Sequence, residues 1–190
     1  MKRAVLLCLA VLLVSGSLTA ARDLFVPGEY KTIQAGIDAA SSGDTVIVAD
    51  GIYTGEGNRD IDFKGKGITV MSKFGPQNCV IDCQGIDTEP HRGFYLHCGE
   101  DANSVIDGFT ITGGWAYGGG AIKCVEVSPT IANCIIKSNT AMSRGGGISC
   151  SGGSPTISDC TISSNSARWE GLGGGVYMDR CSGAISNCDV

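Results

Sequence analysis

Basic residues, histidine and leucine are scarce in this sequence, and each shortage argues against a class of protein. The 14 lysine and arginine residues are outnumbered by 19 aspartate and glutamate residues, so the net charge is −5 and no basic patch predicts nucleic-acid binding. There are only two histidines, and no second Cys or His pair at zinc-site spacing accompanies His97 and Cys98. Leucine is nearly absent after residue 25, which argues against a leucine-rich repeat.

Beyond its first 21 residues the chain has no apolar run of about 20 residues, the length that a membrane-spanning helix needs. Residues 1–21 begin with basic residues, continue with the apolar run Ala4–Val14 and end in small residues. This order predicts a secretory signal peptide, cleaved after Ala20 or Ala21, whose removal changes the net charge from −5 to −7. We therefore expect an exported protein without a transmembrane segment, extracellular or at the cell surface, with the periplasm as an alternative.

A repeated segment dominates the last third of the chain. The sequence Ser-Pro-Thr-Ile-Ala-Asn-Cys at residues 128–134 returns in altered form at residues 154–160 and, more loosely, at residues 182–188. The isoleucines at its centre are 26 and then 28 residues apart. Self-similarity at such a period predicts a solenoid, in which each coil buries its apolar side against the next coil.

A second shared block follows each glycine triplet, and its apolar residues alternate with polar ones. A period of two predicts strands with one buried face, and apolar segments of three to six residues are too short for helices. Three short strands in a coil of about 26 residues predict an all-β parallel β-helix in which equivalent residues stack in columns. The predicted columns are Ile122/Ile148/Val176, Cys124/Cys150/Met178, Ile131/Ile157/Ile185 and Cys134/Cys160/Cys188.

The N-terminal part of the mature chain carries one helical pattern. Ile33, Ile37 and Ala40 have helical spacing, and Thr32 is a suitable N-cap, so residues 32–40 predict a short helix that covers the first coil. Residues 22–190 then form one domain of about six coils. Because the sequence stops within a coil, we expect the stack to continue beyond it or to associate end to end through the uncapped coil.

The opening residues support a resemblance to a known group of proteins. Residues 30–40 followed by Gly-Asp-Thr-Val-Ile-Val at residues 43–48 resemble the start of right-handed parallel β-helix proteins of the pectate-lyase-like superfamily. Residues 107–114 and the Asn-Cys and Gly-Gly-Gly-Ile coils resemble β-helix domains of secreted bacterial surface proteins, and are similar to repeats of polymorphic outer-membrane proteins. The resemblance implies a right-handed coil, whereas that superfamily includes lyases, hydrolases, esterases and proteins without catalysis.

The enzymatic signatures of the superfamily do not recur here. Polygalacturonase-like enzymes carry Asn-Thr-Asp, Asp-Asp and Gly-His-Gly, but this chain has Asn-Thr-Ala at residues 139–141 and neither of the other two motifs. We therefore expect an exported scaffold or binding module that is not catalytic. A polysaccharide lyase or glycoside hydrolase is the alternative, and a purely structural or adhesive surface rod is a third possibility.

One segment of each coil varies in length, and we expect it to form a loop on the binding face. Gly118 lies 4 positions after Gly114, Gly145 lies 6 positions after Asn139, and Gly173 lies 8 positions after Asn165. Aromatic rings beside arginines suit a polysaccharide or cell-surface glycan, although such loops also fold back over a strand edge. The predicted ligand-binding residues are Trp115, Tyr117, Arg144, Arg168 and Trp169.

Two clusters of acidic residues are candidates for binding a hard cation such as calcium, and the sequence predicts no other cofactor. They are Glu56/Asp60/Asp62 and Glu100/Asp101/Asn103, and the second is the predicted metal site; a solvated turn is the other interpretation of both.

Cysteine is abundant, with nine residues left after signal cleavage. In-register side chains of a column lie about 4.8 Å apart, beyond the usual spacing of a disulfide, so Cys134, Cys160 and Cys188 are predicted to be buried apolar residues. Four other cysteines are freer to pair, namely Cys79, Cys83, Cys98 and Cys181.

Overall fold

The computed structural model describes residues 20–169 and 171–190, which form one parallel β-solenoid with a single short helix. Most of the predicted signal peptide lies outside the described residues. Within the described residues, no helix has the length and hydrophobicity needed to cross a membrane. The predicted all-β parallel β-helix is therefore confirmed.

Four parallel sheets run along the solenoid. The first sheet contains β1 (Asp23–Val26), β2 (Thr45–Val48), β4 (Thr69–Ser72), β7 (Val105–Asp107), β11 (Thr130–Ala132), β15 (Thr156–Ser158) and β19 (Ala184–Ser186). The second contains β6 (Phe94–Leu96), β10 (Ile122–Val125), β14 (Ile148–Ser151) and β18 (Val176–Asp179). The third contains β3 (Gly51–Tyr53), β5 (Cys79–Asp82), β8 (Thr110–Thr112), β12 (Ile135–Lys137) and β16 (Thr161–Ser163). The fourth contains β9 (Trp115–Gly118), β13 (Thr140–Arg144) and β17 (Ser166–Ala167).

The predicted columns agree with the strand register. In the first sheet Ile131 pairs with Ile157, which pairs with Ile185. In the second sheet Ile122 pairs with Ile148, and Cys124 with Cys150. Because alternate residues of each strand point inward, these columns fill the interior, and Ile131 and Ile157 are fully buried. Ile185, in the last coil, is 44% exposed, since no further coil covers it in the described chain.

The number of strands per coil differs from the prediction. The segment predicted to be a variable loop is a strand in the later coils, β9, β13 and β17, so these coils have four strands and not three. The alternation that makes it a strand is short: Ala116 and Ala141 point inward and are buried, and they pair with each other. β13 is longer than β9, with which it pairs, and its extra residue causes a register shift between Ala141 and Arg144.

The predicted capping helix is present as α1 (Ile33–Ala39). The Thr32 hydroxyl accepts a hydrogen bond from the Ala35 N–H at 3.2 Å, which satisfies one unpaired donor of the first turn. Ile33 and Ile37 are fully buried against the first coil, and Gly36 lets the helix approach closely, because a β-carbon there would lie 3.0 Å from a methyl group of Val46. The helix thus covers the N-terminal end of the core.

The nine cysteines that follow residue 20 are free thiols in the structure. Cys134 and Cys160 are buried, and each Sγ contacts the backbone carbonyl two residues earlier at 3.1 Å. Burial raises the pKa of the Cys79 thiol to about 12. Cys79 therefore stays protonated and behaves as a small apolar residue of the core.

Candidate functional site: an aromatic and basic groove

The outer surface of the second sheet carries one row of aligned side chains. Tyr95 pairs with Lys123, Lys123 with Ser149, and Ser149 with Tyr177, so the four stand above one another on β6, β10, β14 and β18. Their chain neighbours Phe94, Leu96, Ile122 and Cys124 are fully buried. Because successive side chains of a strand alternate, this row must face away from the core.

A groove of about 270 Å³ lies where this row meets the fourth sheet. Half-buried Lys123, Arg144 and Tyr177 line it together with the exposed ring of Tyr117. Hydroxyl groups add hydrogen-bonding capacity, and those of Ser143, Ser149 and Ser151 belong to the lining. The groove therefore combines ring faces, cations and hydroxyls in one concavity.

The cations of this surface lie against tyrosine rings. The Arg144 guanidinium is 5.2 Å from the centroid of the Tyr177 ring and donates a hydrogen bond to the Tyr177 hydroxyl at 3.1 Å. Arg92 and Lys123 lie 5.1 and 5.7 Å from the centroid of the Tyr95 ring. Such contacts hold long side chains in fixed positions, so the charges are oriented before any ligand arrives.

The electrostatics of the row favour an anion. Burial, and then the positive charge of Arg92, lower the pKa of Lys123. Burial also lowers the pKa of Arg92, whose Nη1 donates to the carbonyl oxygen of Gly118 at 2.7 Å. The positive charges of Arg92 and Lys123 repel each other, although the Asp60 carboxylate offsets part of the Arg92 charge. A bound anion would relieve that repulsion.

The structure places the five predicted ligand-binding residues in two groups. Tyr117 and Arg144 line the groove. Trp115 and Arg168 contact each other, with the guanidinium 4.2 Å from the ring centroid, and neither lines the groove. Trp169 is 70% exposed and is also outside the lining.

Sequence reasoning missed Tyr95 and Arg92. The predicted columns put Lys123 and Tyr177 at outward positions, but neither was assigned to the ligand site. The missing signal was an alignment of Phe94-Tyr95-Leu96 with Ile122-Lys123-Cys124, which would have put Tyr95 in the outward row.

The residues of the predicted metal site face different surroundings. Glu100 is 2% exposed, and its carboxylate accepts hydrogen bonds from the N–H groups of Gly65 at 2.9 Å and Cys98 at 2.8 Å. The Asp101 carboxylate accepts from the backbone and the side-chain amide of Asn103, at 2.9 and 3.2 Å. Asp101 and Asn103 line a cavity of about 650 Å³ that Glu100 does not line. Calcium at this turn stays a prediction.

A second cluster surrounds His91. Its Nδ1 lies 2.5 Å from Asp60 Oδ2, and its Nε2 lies 3.1 Å from Glu89 Oε1. The His91 contact and the nearby Arg59 charge lower the pKa of Glu89, and Arg59 forms an ion pair with it at 3.3 Å. A pocket of about 410 Å³ adjoins this cluster and is lined by Asp60, His91, Arg59 and also Glu56.

The chain matches the model of a known protein family. The model of the family described as right handed beta helix region matches residues 30–190. No curated protein matches the chain, and no solved structure matches it. The match covers the helix α1 and every strand except β1, and it agrees with the parallel sheets described above.

Proposed function

The chain belongs to the right-handed β-helix family, and we propose that it is an exported, non-catalytic module that binds acidic polysaccharide or cell-surface glycan. The observation that carries the proposal is the groove, in which Tyr117 and Tyr177 flank Lys123 and Arg144. Export rests on the signal-peptide pattern of residues 1–21. A closer relationship to the pectate-lyase-like superfamily is part of the proposal, on the resemblance of residues 30–48.

The groove suits a sugar chain for chemical reasons. Tyrosine rings stack on the apolar faces of sugar rings, and their hydroxyls remain available for hydrogen bonds. Lys123 and Arg144 supply the counter-charge for a uronate or sulfate group. Because the outward row continues over four successive strands of the second sheet, a linear polymer can lie along it and contact more than one aligned position.

Removal of groove side chains is expected to weaken binding to acidic oligosaccharides. Tyr177→Ala removes a stacking surface, and Lys123→Gln removes a charge, so each variant of residues 22–190 should bind oligogalacturonate at least about tenfold more weakly. Lys137→Gln is the matched control, because Lys137 is an exposed lysine of β12 and does not line the groove. Isothermal titration and a glycan array measure the effect.

The same experiment separates the groove from the Trp115 and Trp169 surface. If Trp115→Ala with Trp169→Ala removes binding while Tyr177→Ala leaves it unchanged, the ligand site is the tryptophan surface and the groove assignment is wrong. If the wild type is retained by no glycan, the binding function itself is wrong. Size-exclusion chromatography of the same samples measures their oligomeric state. It tests the proposed end-to-end self-association through the last coil, where Ile185 and Val190 are exposed.

A second candidate function, cleavage of a polysaccharide, is favoured by the cluster of Asp60, Glu89 and His91. The imidazole can donate to both carboxylates only when it is protonated. In that form it could act as a general acid toward a glycosidic oxygen, and Arg59 beside it could bind a uronate carboxylate.

If this second function is correct, the wild type will release reducing or unsaturated ends from pectin or alginate, with or without added calcium. His91→Gln should then lower the rate at least about 100-fold, since general acid catalysis contributes that much. Asp87→Asn, an exposed carboxylate of the neighbouring turn, should leave the rate unchanged. Absence of released ends from the wild type excludes cleavage and leaves binding as the function.

A further inference from the structure

Three potential metal ligands from two successive coils converge at one edge of the second sheet. The ligand atoms of Asp62, His97 and Cys98 all lie within 4.8 Å of one another. His97 and Cys98 follow strand β6 directly. Asp62 follows Ile61, which pairs with Phe94 in the next coil, so the solenoid register brings Asp62 beside residues 35 and 36 positions later in the chain.

We propose that Asp62, His97 and Cys98 bind one zinc-type divalent transition-metal ion, each supplying one ligand atom. Imidazole, thiolate and carboxylate together form the donor set that zinc accepts. Calcium and magnesium take oxygen ligands, so this set selects against them. Atoms that share a tetrahedral zinc lie about 3.3–3.8 Å apart, because the metal–ligand distances are about 2.0–2.3 Å. A closure of about 1 Å along the longest edge completes the site, and side-chain rotation supplies it.

Each of the three residues is held in place by a different neighbour. The Gln34 side chain fixes the backbone of Asp62 on both sides: its Oε1 accepts from the Asp62 N–H at 2.9 Å, and its Nε2 donates to the Asp62 carbonyl at 3.0 Å. The His97 ring stacks on the Tyr95 ring, with centroids 4.1 Å apart and planes 11° from parallel. Such support is typical of metal sites, where it orients the ligands before the ion binds.

Cys98 is held by the buried carboxylate of Glu100. That carboxylate accepts from the Cys98 N–H through one oxygen and from the Gly65 N–H through the other, so it joins the two coils at the ligand residue Cys98. Gly65 has a φ of +73°, and a β-carbon there would lie 2.7 Å from the Cys98 carbonyl oxygen, so the coils meet this closely only with glycine. Both His97 and Cys98 are exposed, which leaves room for a water molecule as the fourth ligand.

Cobalt titration of reduced residues 22–190 tests the proposal. We expect one equivalent of Co²⁺ to produce a thiolate-to-cobalt absorption band, and one equivalent of Zn²⁺ to abolish it, while Ca²⁺ does not compete. Cys98→Ser should remove the band, and His97→Gln and Asp62→Asn should each weaken binding at least about tenfold. Gln34→Ala, which removes no ligand, should weaken binding about tenfold because Asp62 loses its support.

Two control variants remove the same residue types elsewhere. Cys181→Ser takes away another partly exposed thiol, and His91→Gln takes away the other histidine of the chain, so both should keep the band and the affinity. Absence of the band in the wild type, or its persistence in Cys98→Ser, overturns the proposal. If circular dichroism shows that a variant does not fold, alkylation of Cys98 in the wild type is measured by mass spectrometry with and without Zn²⁺. Alkylation that Zn²⁺ leaves unchanged contradicts the site.

Discussion

Replacement of Phe94 by alanine is expected to lower the free energy of unfolding by about 3–5 kcal/mol, enough to unfold a marginally stable domain. Phe94 is fully buried and lies between two other buried phenylalanines, Phe63 and Phe109, with both ring centroids 6.2 Å away. The three rings come from successive coils. Removal of the middle ring therefore leaves a cavity bordered by rings that its neighbours, fixed in parallel strands, cannot readily fill.

Urea denaturation of residues 22–190, followed by circular dichroism, measures this loss. Phe74→Ala is the matched control, because Phe74 is 63% exposed and its ring contacts the Lys73 ammonium at the surface. We expect that variant to change the free energy of unfolding by less than about 0.5 kcal/mol. Equal midpoints for Phe94→Ala and the wild type would mean that the three phenylalanines do not form the continuous core described here.

The repeat made the strand register predictable, because the isoleucine at the centre of the repeated segment recurs once in each coil. Ile131 and Ile157 could be paired from spacing alone, since a parallel solenoid that places one pair in register places the rest of the coil as well. The capping helix was predictable from local signals: Ile33 and Ile37 have helical spacing, and Thr32 precedes them as an N-cap.

The fourth sheet could not be predicted with the same means. Its inward positions in β9 and β13 are Ala116 and Ala141, and alanine gives too weak an apolar alternation to distinguish a strand from a loop. The glycines and the unequal lengths of the segment also favour a loop. The segments become strands because each pairs with the equivalent segment of the neighbouring coil. That pairing cannot be read from the local sequence of one segment.

The candidate sites depend on contacts between coils, and the sequence carries little information about them. Outward positions have no periodic constraint, so Lys123 and Tyr177 stand in one row without any shared residue type. The sequence near His97 and Cys98 shows no third metal ligand at short spacing, because the third ligand, Asp62, comes from the preceding coil. Glu100 was predicted to bind a cation from its acidic neighbours, but its carboxylate is buried and bound to two backbone N–H groups.

Replacement of Asn139 by alanine is expected to cost about 3 kcal/mol, although the side chain is small and polar. Asn139 is 1% exposed, and its amide nitrogen donates to the carbonyl oxygens of Ile111 and Lys137, both at 3.0 Å. Its Oδ1 accepts from the Gly114 N–H of the preceding coil at 2.9 Å. Alanine would remove these three hydrogen bonds from the interior, and a buried polar group left without a partner costs about 1–3 kcal/mol.

The same urea titration tests this value. Asn78→Ala is the control, because Asn78 is exposed and its side chain makes only a long contact, 3.5 Å, to the Phe74 carbonyl. Asn165→Ala provides an intermediate comparison, because Asn165 occupies the equivalent position one coil later. Its Oδ1 accepts from the Asn139 N–H at 3.0 Å, and its Nδ2 donates to the Ile136 carbonyl at 2.8 Å. Asn165 is only half-buried, however. Its loss should therefore be smaller than that of Asn139. If Asn139→Ala changed the free energy of unfolding no more than Asn78→Ala, water would have to bind the freed backbone groups. The stacked residues Asn139 and Asn165 would then not stabilise this bend of the coil.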